Sequence, residues 1–92
     1  MTVVVRHLSI HGRVQGVGYR GSMTREAMRL GIAGWVRNRC DGSVEAVVAG
    51  NMTAVETLIA WAQRGPAGAH VTAVDVQLTE GEFDGFDQRP TA

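Results

Sequence analysis

Four glycines and two arginines crowd residues 12–21, GRVQGVGYRG, and a single polar amide, Asn38, stands near the end of a later extended run. Glycine at that density serves a backbone that needs positive φ or close approach to another molecule. Where such a segment leads from a strand into a helix, unpaired N–H groups and the positive end of the helix dipole attract anions. Arg20 opens the helical pattern, and its planar guanidinium matches phosphate oxygens through bidentate hydrogen bonds. The segment can therefore hold a phosphate-like anion, with the amides of Gln15, Gly16, Val17, Gly18, Tyr19 and Arg20 as a cradle and the Arg20 side chain closing it. The plainer reading of the glycines alone is a tight strand-to-helix turn beside a solvated arginine. Asn38 shares a strand side with Gly34 and Val36; if helices cover that side, its amide needs a partner. Its plainer role is to complete the turn at Asp41-Gly42.

Other chemistries fit less well. Gly16-Val-Gly18-Tyr-Arg-Gly21 satisfies G-x-G-x-x-G, and Asp41 lies 20 residues beyond Gly21. A dinucleotide site also needs a parallel strand after the helix and a larger sheet, whereas Asp41 reads as a hairpin turn. A Walker A loop requires Lys, and the chain has none; a cysteine-phosphatase loop would need Arg at position 46, which is Ala. His7 and His11 lie four apart on a strand or at its end, pointing in opposite or splayed directions, and His70 precedes another strand; all three read as ordinary histidines. No metal or other cofactor is expected. The lone Cys40 makes no internal disulfide or zinc framework.

The formal net charge of zero conceals a split. Residues 1–39 carry seven arginines against Glu26 alone, a balance of +6; residues 40–92 carry two arginines against eight acids, a balance of −6. Such asymmetry points to an anion bound by the first half, with Arg13, Arg37 and Arg39 raising the local potential and steering it in. No basic face interleaved with aromatics marks a nucleic-acid partner, no apolar run approaches the roughly 18 residues of a membrane span, and no signal peptide is visible. A single cytoplasmic domain over residues 1–92, monomeric and acting on a small molecule, is the expectation.

The elements that must position these residues follow from periodicity. Residues 3–10, VVVRHLSI, read as a strand. Tyr19, Met23, Ala27 and Leu30 recur at helical spacings, giving a helix from near Arg20 to a cap at Gly31. A strand over 33–39 and a return strand over 43–49 flank Asp41-Gly42, a strong hairpin signal. Thr53 and Glu56 have capping-box spacing, Val55, Leu58, Ile59 and Ala62 mark a second helix, and Gly65-Pro66 stops it. Residues 73–78 alternate as a further strand, and Phe83 and Phe86 belong to a short edge strand or a lid over the core. The order β-α-β-β-α-β predicts an α+β, ferredoxin-like split sandwich: an antiparallel sheet with both helices on one face. That fold hosts unrelated functions, so function rests on the site.

Two segments, HGRVQGVGYR at 11–20 and GWVRNRCDGSVEAVVAG at 34–50, together resemble the acylphosphatase family, whose loop reads G-x-V-Q-G-V-x-F-R and whose strand pair reads G-W-V-x-N-x-x-D-G-x-V-E. The similarity extends to Gly65-Pro66 and to Phe83 and Phe86, nearly the whole chain. Tyr19 stands where the family usually has Phe, so its hydroxyl must find water or a partner. The Arg39-Cys40 pair is a second departure. The resemblance implies hydrolysis of acyl phosphates to carboxylate and inorganic phosphate, without metal or covalent intermediate. It implies that Arg20 and the 15–20 amides bind the phosphoryl group and that Asn38 holds the attacking water. The alternative is a non-catalytic module handling carbamoyl phosphate, resembling the N-terminal domain of a hydrogenase-maturation carbamoyltransferase, which would continue past residue 92 into Cys-rich zinc segments. A third reading, an RNA-binding domain of this topology, lacks stacking aromatics in SVEAVVA.

Overall fold

The computed structural model describes residues 3–92. Strand β1, Val3–Arg13, leads through the glycine-rich loop into helix α1, Tyr19–Leu30. Strands β2, Ala33–Asn38, and β3, Val44–Asn51, form the expected hairpin, followed by helix α2, Met52–Arg64, strand β4, His70–Leu78, and strand β5, Phe86–Arg89. The sheet order is β4-β1-β3-β2-β5. The first four strands pair antiparallel, and β5 joins β2 in parallel, so the sheet is mixed only at that edge. This is the α+β, ferredoxin-like arrangement that the alternation of elements predicts.

One side of the sheet meets both helices. Leu8 and Ile10 of β1, Val36 of β2 and Val44, Ala46 and Val48 of β3 alternate toward Tyr19, Met23 and Ala27 of α1 and Val55, Leu58 and Ala62 of α2. Burying a Leu, Ile, Val or Met side chain among them contributes about 1.5–3 kcal/mol. The opposite side holds a smaller cluster of Val5, Trp35, Val47 and Ala49, with Phe83 against it. Phe86 thus sits in the edge strand and packs toward the helices, while Phe83 covers the reverse side of the sheet; the tail divides its two rings between faces rather than laying both over one core.

Local corrections have local causes. Helix α1 begins at Tyr19, one residue before Arg20, and is capped at Gly31 as expected, with the Ile32 amide donating to Ala27 O at 2.8 Å. The cap of α2 is Asn51, whose side-chain oxygen accepts from the Ala54 amide at 2.8 Å, so the helix starts before the Thr53 and Glu56 box. β4 begins at His70 because pairing with β1, across an irregularity at His11 and Gly12, recruits residues that sequence alternation leaves out. His7 and His11 both lie within β1 and, four residues apart, share a face; each meets a different carboxylate, Glu45 at 2.7 Å and Asp75 at 3.2 Å. Among the described residues no three His, Cys, Asp or Glu side chains gather as a metal site, and no helix is long and apolar enough to cross a membrane.

Candidate active site

The end of β1, the start of α1 and the end of β2 converge at one rim of the sheet. A pocket of about 230 Å³ opens there, lined by Val14, Gln15, Gly16, Gly18, Tyr19, Arg20, Gly21, Asn38 and Gln88. Gly16 and Gly18 take φ of +75° and +77°, values that favour glycine, and a Cβ on either would point into open space. Gly18 is the N-cap of α1 yet offers no side chain to cap it, and no acid occupies the first turn. Among the described residues, none of the amides from Gln15 to Gly21 donates to a backbone carbonyl, whereas the next, Ser22, donates to Gly18 O at 3.0 Å. A loop and helix start with unspent donors has the electrostatics that suit an anion.

Arg20 forms no ion pair among the described residues, so its guanidinium keeps its donors for a ligand. Arg37 and Arg39, expected to steer the anion, are engaged instead on the reverse side of the sheet: Arg37 Nε and Arg39 Nη2 lie 2.7 and 3.0 Å from the carboxylate of buried Glu45. Burial works to raise the Glu45 carboxyl, but hydrogen bonds from Arg39, His7 and Arg37 outweigh it and hold the group at about 2.

Gln15 and Val17 contribute differently from the other cradle residues. The Gln15 side-chain amide donates to Arg39 O at 2.8 Å and Ser43 O at 2.9 Å, tying the cradle to the β2–β3 hairpin. Val17 is not among the lining residues; its side chain packs against the core and only its backbone is left for the site. The hairpin is fixed by Asp41, whose carboxylate accepts from the Ser43 hydroxyl at 2.6 Å and the Ser43 amide at 2.9 Å; these bonds lower the Asp41 pKa. The Tyr19 hydroxyl finds its partner in the core, donating to Ala62 O at 2.7 Å, and burial pushes its pKa up.

Gln88 escaped the sequence reading because only the parallel pairing of β5, which sets Gln88 beside Val36, brings it to the pocket. Glu45 escaped because its partners lie on two other stretches of chain, with only its placement in an otherwise apolar strand as a signal. A larger hollow, about 850 Å³, lies at the opposite end of the sheet among Val3, Val5, Ala33, Ala49, Leu78 and Phe83. It is open and mainly apolar, without the converging amides of the smaller pocket.

Fold and site together define a ferredoxin-like α+β protein with a pocket of unpaired backbone amides at its first strand-to-helix junction. The chain belongs to the acylphosphatase family, whose model matches residues 6–88. An acylphosphatase of Thiobacillus denitrificans is 64% identical over 83 residues, covering 90% of this chain and 93% of that protein. The solved structure of an acylphosphatase from Coxiella burnetii superposes with a TM-score of 0.92 at 32% identity, covering 95% of this chain and 93% of the other. Full-length HypF, in a phosphate- and nucleotide-bound structure, also matches with a TM-score of 0.90 at 25% identity, but the match covers 98% of this chain and only 12% of that one. Family membership makes the chain an enzyme, a hydrolase of acyl phosphates.

Proposed function

We propose that the chain hydrolyses a carboxyl-phosphate mixed anhydride by direct attack of water on phosphorus, with Arg20 and the Gln15 to Tyr19 amides binding the phosphoryl oxygens and Asn38 orienting the water. The observation that carries this reading is the common pocket: cradle, clamp and Asn38 amide line one space. Its volume of about 230 Å³ accommodates a phosphoryl group and a water, whose share of liquid volume is about 30 Å³.

The chemistry asks for little more. Phosphoryl transfer through a loose transition state is catalysed mainly by positioning and charge stabilisation. The cradle amides and Arg20 supply fixed donors where negative charge spreads over the equatorial oxygens. Water forms a bond to phosphorus as the bond to the acyl oxygen breaks; the products are carboxylate and inorganic phosphate, and the water's proton leaves to solvent or phosphate. The departing carboxylate has a parent pKa of about 4–5, as for Asp and Glu, and leaves without a general acid. Ordinary phosphomonoesters, with alkoxide leaving groups, should be poor substrates.

Arg20→Ala and Asn38→Ala should each lower hydrolysis of an aryl acyl phosphate by about 100-fold or more, the scale of losing a preorganised transition-state donor, while circular dichroism stays native. Full activity in either variant would remove that residue from the mechanism. Wild-type activity should persist in EDTA and be inhibited by inorganic phosphate. The carbamoyl-phosphate module reading has less support, since its HypF match is at 25% identity against 64% for the acylphosphatase relative.

A further inference from the structure

Asn38 occupies the last position of β2. Its carbonyl accepts from the Ala92 amide at 3.1 Å and the next amide, Arg39, donates to Ser43 O at 2.8 Å, so the backbone is held and the motion left to restrain is that of the side chain. An amide that must hold a water in line with a breaking bond cannot be left to such motion, because misplacement by about 1 Å can cost 10²-fold in rate. Strand alternation turns the two neighbours of Asn38, Arg37 and Arg39, away from the pocket. Both guanidiniums meet Glu45: Arg37 Nε lies 2.7 Å from Oε1, and Arg39 Nη2 lies 3.0 Å from Oε2. His7 Nε2 of β1 approaches Oε2 at 2.7 Å, anchoring the carboxylate to the middle of the sheet. Glu45 stands opposite Arg37 in the β2–β3 register and opposite Ser9 in the β1–β3 register. The carboxylate thus grips β2 on both sides of Asn38 from behind.

We propose that Glu45 is a positioning residue of the hydrolytic site, acting through Arg37 and Arg39 to set the orientation of the Asn38 amide. This rests on the reading of Asn38 as the residue that orients the water. Glu45 is absent from the pocket lining and lies on the reverse side of the sheet, so it touches neither substrate nor water. Its carboxyl stays ionised well below neutrality, which suits an anchor and not a proton carrier. Its buried position leaves solvent little room to take the place of the carboxylate beside Arg37 and Arg39 if the charge is removed. Gln15 joins the same hairpin to the cradle through Arg39 O and Ser43 O, so the strand that Glu45 holds is the one against which the cradle is registered.

The test is Glu45→Gln in the full chain, read by steady-state kinetics on an aryl acyl phosphate and by the side-chain amide resonances of Asn38. The expected result is a kcat lower by about tenfold, a KM and inhibition by inorganic phosphate within about twofold of wild type, and shifted or broadened Asn38 resonances with the Gly16 to Gly21 amides unmoved. In the Asn38→Ala background the same substitution should lower the residual kcat no further. Unmoved Asn38 resonances, an unchanged kcat, or an equal loss in both backgrounds would overturn the proposal. If Glu45→Gln does not fold, Arg39→Gln, which leaves the Arg37 and His7 contacts, should move kcat and the Asn38 resonances in the same direction by less. The absence of either change would equally overturn it. A failure of the water-orienting role is distinguishable, because Asn38→Ala would then be active while the Asn38 resonances of Glu45→Gln still report whether the grip exists.

Discussion

The Tyr19 hydroxyl shows how one atom on the cradle residue secures a distant element. Ala62 O belongs to the last turn of α2, where carbonyls have no helical partner, and the Tyr19 hydroxyl donates to it. Tyr19→Phe should cost about 1–2 kcal/mol of stability, the penalty for stranding a buried acceptor, with acyl phosphate hydrolysis retained; urea unfolding monitored by circular dichroism measures the loss. Glu45 makes a different prediction. Its carboxyl titrates at about 2 in the folded chain against an ordinary 4.5, so the ionised form is favoured by folding. That stabilisation is complete above the unfolded pKa and disappears as pH falls from about 4.5 through about 2. The denaturation midpoint of wild type should therefore fall more steeply over that interval than that of Glu45→Gln, and parallel curves would contradict the assigned network. Arg20 and Asn38 were legible as candidates because each stands out against its own local pattern, one opening a helix after a glycine run, the other polar in an apolar strand. Glu45 and Gln88 take their significance from pairings between strands distant in sequence, which no local pattern encodes.

At the scale of elements, the strand-to-helix junction and the β2–β3 hairpin operate as one unit joined by Gln15. Gln15→Leu preserves much of the side chain's volume but removes the side-chain donor to both carbonyls, leaving Arg39 O and Ser43 O with only their backbone partners, the Gly42 and Arg39 amides. A loss of about tenfold or more in kcat/KM with native secondary structure is expected, in keeping with the cost of small displacements between catalytic groups. The helices anchor that unit to the core. Leu58 of α2 is fully buried in the main cluster, and Leu58→Ala should cost about 2–5 kcal/mol, measured by the shift in urea midpoint. The hairpin was readable from Asp41-Gly42 because turn chemistry is local. The start of α2 was not, because Asn51 outcompeted Thr53 as a cap while also ending β3. The parallel placement of β5 depends on a long connection whose residues carry little alternation.

Across the whole molecule, the charge split along the chain does not survive folding as two opposed halves. The sheet order interleaves β1 and β2 from the basic half with β3 from the acidic half, and Glu45 pairs with two of the arginines expected to steer substrate, offsetting one of their two charges. On the proposed reading, attraction of the anion is concentrated at Arg20 and the cradle amides rather than spread over a face. Raising ionic strength from low salt to about 0.5 M should lower kcat/KM by less than tenfold, since screening acts on distant exposed charges more than on a short-range pocket. A larger loss would mean that remote arginines steer after all. The measurement that tests the central account most directly compares phosphate inhibition and kcat in Arg20→Ala and Asn38→Ala. Asn38→Ala should lose kcat by about 100-fold yet retain wild-type inhibition by inorganic phosphate, while Arg20→Ala should lose both. Retained phosphate inhibition in Arg20→Ala, or its loss in Asn38→Ala with kcat preserved, would contradict the division of this pocket into a phosphoryl clamp and a water-orienting amide.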